Sequence, residues 1–205
     1  LAACLRGVEG TRVGFESAHL TVKRFDALAS ALRDSPSRRP LELVPAERLV
    51  EASRLVKDEA EIATLRRAGA LISTVARGVL DGVRAGQREW EVAADIDDRI
   101  RRGGFERPAF DTIVASGPNG ALPHARPGDR RLQAGDLVVL DFGGVYDGYC
   151  VDITRTVSVG TPAAEARRLY DAVAEAQMAA AGAVRPGGAV TDVDEAARGV
   201  LERRG

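Results

Sequence analysis

Two stretches of this chain, "VRAGQREWEVAADIDDRIRRGG" (83–104) and "VRPGGAVTDVDEAARGVLERRG" (184–205), align without a gap at an offset of 101 residues. Val83/Val184, Arg84/Arg185, Gly86/Gly187, Val92/Val193, Arg102/Arg203 and Gly104/Gly205 are identical between the copies. Upstream, Ile62, Leu65, Gly69, Ile72, Ala76 and Val79 recur at spacings of three and four, the mark of a helix with one apolar face. The same offset lays this helix on residues 162–181, where Ile72/Val173 and Val75/Ala176 keep the stripe. Each copy therefore reads helix, glycine turn, helix, and the chain is expected to form two related halves of one unit. The first copy runs on into expected strands at 109–114 and 137–159. The second copy reaches Gly205 where its own strands should start, so the second half of the sheet is expected beyond this chain.

Ahead of the repeat, residues 1–56 read as β-α-β-α. Strands are expected at 12–16 and 41–44, with a helix capped by Thr21 that buries Phe25, Leu28, Ala29 and Leu32, a loop at Ser35–Pro40, and a second helix over 46–56. This segment has the pattern of the C-terminal part of a small α/β domain. Asp58-x-x-Glu61 is a capping box that opens the long helix, which puts a domain boundary near Lys57 and a second domain over 57–205. The chain starts at Leu1 in mid-pattern, as expected of a piece of a longer protein.

Composition narrows the function. A length of 205 residues with 45% hydrophobic content supplies a real core. Lys and Arg number 29 against 30 Asp and Glu, a net charge of −1, so there is no basic field for nucleic acid and no polybasic tract for a membrane surface. No apolar run approaches the ~20 residues of a membrane span. Cys4 and Cys150 stand far apart, without a metal or redox spacing, and a cytoplasmic protein is expected.

The chemistry concentrates in "LDFGGVYDGYCVDITRT" (140–156). Asp147-Gly148 is a two-residue hairpin turn between β-branched runs. If Tyr146 and Tyr149 close it, Asp141 faces Thr154 and Asp152 faces Gly143, and the two aspartates become diagonal neighbours on one face of the sheet. Carboxylates that close raise each other's pKa and oppose folding unless a cation lies between them. Oxygen donors favour a hard divalent ion such as Mn²⁺. The competing reading makes one aspartate a turn cap and the other a surface partner of Arg155. His124 lies in "SGPNGALPHARPGD", a Gly- and Pro-rich loop after an expected strand, where functional groups are often carried; the plain alternative is a solvated loop histidine. His19, beside a helix start, reads as structural.

The run from Arg107 to Gly160 contains F-D-x-I-V-A-S-G, N-x-A-x-P-H, G-D-x-V-x-x-D-x-G and G-Y-x-x-D-x-T-R-T in order. It resembles the prolidase, aminopeptidase P and creatinase family of pita-bread metalloproteins, and "RLVKDEAEIATLRRAG" (54–69) resembles that family's entry into its catalytic domain. The resemblance implies an α+β pita-bread domain, built from two pseudo-symmetric halves. It implies that Asp141 is a metal ligand, that Asp152 bridges two divalent ions (Mn²⁺, with Co²⁺ or Zn²⁺ as alternatives), that Thr154 lies beside them, and that His124 stabilises a tetrahedral intermediate. The remaining ligands, one histidine and two glutamates, are expected after residue 205. Val151 departs from the serine that many relatives carry there.

The implied activity is Xaa-Pro aminopeptidase, hydrolysing the bond before proline with metal-activated water, in a cytoplasmic protein that is a homodimer at full length. Three alternatives remain. An Xaa-Pro dipeptidase uses the same ligands. A metal-free hydrolase of a small amidine is opposed by the presence of both aspartates, and a non-catalytic binding module by the additional presence of His124. On this reading the 205-residue chain is inactive by itself.

Overall fold

The computed structural model describes residues 11–33 and 41–205; Cys4 and the Ser35–Pro40 loop lie outside them. The chain forms two compact units, Leu1–Glu59 and Ala60–Gly205.

In the first unit, β1 (Arg12–Phe15) pairs in parallel with β2 (Glu42–Pro45), and α1 (Val22–Arg33) follows β1. The Thr21 hydroxyl accepts from the Arg24 N–H at 3.4 Å, the expected cap. Phe25, Leu28, Ala29 and Leu32 share one face but are half-buried rather than buried, since the two described strands cover little of the helix. The Phe25 ring lies 5.1 Å from that of Phe15. The second helix, α2, spans Leu49–Leu55 and is shorter than the expected 46–56. Its start is delayed because the Ala46 N–H extends the strand pairing to the Phe15 carbonyl and Arg48 takes a left-handed φ of 58°.

The second unit opens with α3 (Glu59–Leu80) and α4 (Glu89–Arg102), followed by β3 (Arg107–Pro108), β4 (Ile113–Ser116), a 3₁₀ turn at Gly117–Ala121, β5 (Leu137–Tyr146) and β6 (Tyr149–Ser158), then α5 (Ala164–Ala183) and α6 (Val190–Arg204). The helices recur at the repeat offset, and the equivalent glycines share one conformation: φ is 89° at Gly86 and 77° at Gly187, then 93° at Gly104 and 91° at Gly205. Only glycine adopts such angles without strain. Burial separates the copies. Ile72 is 2% exposed while its counterpart Val173 is 51% exposed, and Ile100 is 0% exposed against 42% for Leu201.

All strands of the second sheet are antiparallel, with β5 central, β6 along one edge, and β3 and β4 in succession along the other. A single strand over 109–114 does not form. Between Arg107↔Val145 and Ile113↔Asp141 the outer strand advances six residues while β5 advances four. The two extra residues form a bulge, at which the buried Thr112 donates its hydroxyl to Asp97 of α4 at 2.6 Å. One face of the sheet packs its Val114, Val138, Leu140 and Phe142 against Ile72, Val79, Ile96 and Ile100 of α3 and α4 in a continuous apolar core. The opposite face carries the aspartates.

Candidate functional site

The hairpin forms in the register that its turn dictates. Asp147 and Gly148 both have positive φ, 49° and 75°, the requirement of a two-residue turn whose twist matches its strands. Tyr146 pairs with Tyr149, Asp141 with Thr154 and Asp152 with Gly143. The far end is pinned from outside, because the Tyr149 hydroxyl donates to Glu61 at 2.8 Å and the Gly148 N–H to Glu106 at 3.3 Å.

Asp141, Asp152 and Thr154 thus share one face, with Ile113 of β4 paired directly beside Asp141. The Thr154 hydroxyl donates to Asp141 Oδ1 at 2.7 Å, which fixes that carboxylate. Position 143 has no side chain, and a Cβ there would lie 2.2 Å from the Val151 carbonyl oxygen and 2.9 Å from the Phe110 ring. Desolvation pushes the Asp152 carboxyl above its usual range, and the charge of Asp141 and a hydrogen bond shared with it add to the effect, against a smaller pull from the Ile153 N–H. Arg155 lies on the other face, opposite Leu140, and donates to the Thr154 carbonyl. It is not the partner of either aspartate, which removes the surface-pair alternative.

His124 is exposed on the segment between the 3₁₀ turn and Gly128. Around it, Leu122 N–H donates to the Asn119 carbonyl and Ala125 N–H to that of Leu122, and Ala125 is buried. The ends of the segment converge on Glu89, the first residue of α4 and 0% exposed. Its carboxylate accepts from the Ser116 N–H at 2.8 Å, the Ser116 hydroxyl at 2.7 Å, the Asn119 amide at 3.0 and 3.1 Å, and the Gly128 N–H at 3.1 Å. Burial pushes Glu89 upward, but these donors together outweigh it and hold the group below its ordinary range. Arg130 extends the network, donating to Ser116 Oγ at 2.5 Å and to both oxygens of Asp136. Gly117, with φ of 50°, is required here, since a Cβ would meet Arg130 Nη2 at 2.6 Å. Ser116, Asn119 and Asp136 are fixed positions of the motifs quoted from 107–160, but no motif marked Glu89 or Arg130 or linked the five residues into a network. The available signal was a carboxylate at a helix start, which ordinarily serves the helix dipole.

His19 is exposed in the first unit, where it lines a cavity of about 490 Å³ with Glu16, Glu47 and Arg48. Among the described residues no three His, Cys, Asp or Glu side chains gather into a metal-binding group. Two adjacent hard-oxygen carboxylates, one of them with its pKa raised partly by the other, are nonetheless a donor set suited to a divalent cation. Among the described residues no helix is long and apolar enough to cross a membrane.

A mixed sheet-and-helix unit with paired carboxylates on one face of its sheet has the architecture of the pita-bread metalloproteins. Residues 63–205 match metallopeptidase family M24, and the chain belongs to that family. It is 38% identical over 157 residues to the Xaa-Pro dipeptidase of Pyrococcus furiosus, covering 77% of this chain and 45% of that protein. Among solved structures it superposes on the Xaa-Pro dipeptidase of Bacillus anthracis with a TM-score of 0.91 at 33% identity, and on the X-Pro aminopeptidase of Thermotoga maritima with 0.88 at 32%. Each match covers 100% of this chain and 56% of the other. The chain spans about half the length of the relatives it matches.

Proposed function

We propose that the protein hydrolyses Xaa-Pro peptide bonds at the N-terminus of peptides, as a metal-dependent Xaa-Pro aminopeptidase. The observation that carries the reading is the diagonal pair of Asp141 and Asp152 on the open face of the β5–β6 hairpin, in a chain whose relatives include X-Pro aminopeptidases and Xaa-Pro dipeptidases. Asp141, held by Thr154, and Asp152 are the residues that hold the metal, Mn²⁺ by the hardness of the donors. Two divalent ions bound there supply Lewis acidity toward water and the scissile carbonyl. Asp141 and Asp152 together would hold the ions, with Thr154 keeping the Asp141 carboxylate oriented toward them. His124 donates a hydrogen bond to the carbonyl oxygen as negative charge grows on it, a contact worth roughly 3 kcal/mol of barrier. The amide before proline lacks an N–H, so the site recognises a bond that peptidases needing that donor leave intact. In this reading the full-length protein is a homodimer, as the family resemblance implies, and cytoplasmic, as two widely separated cysteines without a metal or redox spacing support.

The second reading, an Xaa-Pro dipeptidase, is favoured by the relatives that carry that name. Substrate length separates the two. The full-length protein with Mn²⁺ is offered an Xaa-Pro dipeptide and Xaa-Pro-led peptides of increasing length. Cleavage of the longer peptides supports the aminopeptidase, activity on the dipeptide alone supports the dipeptidase, and failure on all of them leaves the binding module.

A further inference from the structure

We propose that Glu89 is a positioning residue for His124: by tying both ends of the 117–127 segment to the first turn of α4, its carboxylate sets where the imidazole meets the substrate. This rests on the proposed role of His124 as an oxyanion donor.

Ser116 and Gly128 lie 27 and 39 residues from Glu89 in sequence, yet both donate backbone N–H groups to it, one to each oxygen. Asn119, inside the segment, donates to both oxygens at once. One carboxylate therefore fixes the entry, the 3₁₀ turn and the exit of the segment that presents His124. The backbone reinforces the exit, because the Trp90 N–H donates to the Gly128 carbonyl and the Glu89 N–H to that of Arg130.

A purely apolar anchor could not do this. The donors around Glu89 need acceptor capacity in two directions, and an ionised carboxylate supplies it without offering a competing donor. A glutamine would turn its NH₂ toward either Gly128 or Ser116 and leave one buried N–H without an acceptor, which loosens that end of the segment. His124 itself touches nothing in this network. Its position is inherited from the ends, and small displacements of a catalytic donor cost rate more than binding.

The test uses the full-length protein with Mn²⁺ and four variants: Glu89→Gln, Asn119→Ala, His124→Ala and the double variant Glu89→Gln/His124→Ala. Glu89→Gln is expected to lower kcat about 10-fold or more, on the scale of outer-shell support, with KM and metal content unchanged and with faster amide hydrogen exchange at Ser116 and Gly128. In the His124→Ala background the same change is expected to lower kcat by less than about 2-fold, because Glu89 acts through a group already removed. Should Glu89→Gln fail to fold, Asn119→Ala compared with a fifth variant, Asn119→Ala/His124→Ala, carries the test, since it removes two contacts to Glu89 while the Ser116 and Gly128 bonds preserve the fold. Additive losses in the double variant, or a lowered melting temperature with unchanged kcat, overturn the assignment of Glu89 alone. Full activity of His124→Ala overturns the oxyanion reading and this proposal with it.

Discussion

Glu89 at the start of α4 and Asp152 on β6 are two carboxylates in one unit whose surroundings push them in opposite directions. Glu89 is sealed from solvent but meets only donors, and it is held below its ordinary pKa range. Asp152 is an exposed residue, yet desolvation of its carboxyl and then the charge of Asp141 beside it raise its pKa. The contrast teaches that burial alone does not mark a reactive carboxylate. A satisfied acid fixes structure, whereas an acid set against a like charge is a candidate ligand for a cation.

The sharpest break of that comparison is Asp152→Asn. In the full-length protein it should lose metal and activity together, by more than the about 10–100-fold that changes outside the ligand set cost, as read by metal analysis beside kinetics. His124→Ala should lower kcat by about 10²-fold and leave metal content unchanged; equal loss of metal and activity would make His124 a ligand. Thr154→Val removes the 2.7 Å bond that orients Asp141 and should weaken Mn²⁺ binding about 10-fold, which a calorimetric titration measures.

The smallest effect concerns stability and pH. The folded pKa of Glu89 lies below its unfolded value, about 4.3 for glutamate. Its stabilisation is therefore full above that value and is lost as pH falls through the folded pKa. Arg130 and Asp136, joined through Ser116, are the other charged groups of the network. With chelator present, the melting temperature of wild type should exceed that of Glu89→Gln most clearly above about pH 5, and the gap should narrow in acid. A gap that widens in acid would reverse the sign given to this group.

The same two regions differ in how far they can be read from sequence. A two-residue Asp-Gly turn fixes register by local geometry, so every partner of Asp141 and Asp152 follows from counting outward from Tyr146 and Tyr149. The repeat was legible for a similar reason: glycines at a fixed offset impose the same turn. The Glu89 network depends on partners 27 to 39 residues away, and no periodicity encodes such contacts. The break between β3 and β4 was hidden too, because 109–114 has strand-forming composition while the bulge is set by pairing to β5 and by the Thr112–Asp97 bond. The apolar stripe of α5 pointed to a buried face, and Ala176 is buried, yet Val173 is exposed. Helical pattern is local, whereas burial depends on the surface that packs against it.

The claim that Asp141 and Asp152 together hold metal is tested most directly by thermal melting of the full-length protein and its Asp152→Asn variant, each with chelator and with Mn²⁺. Mn²⁺ should raise the melting temperature of wild type and leave that of the variant nearly unchanged. In chelator the variant should melt higher than wild type, because the like-charge contact with Asp141 is gone. An equal rise on adding Mn²⁺ in both proteins would contradict the account, since the Asp152 carboxylate would then have no part in binding the metal.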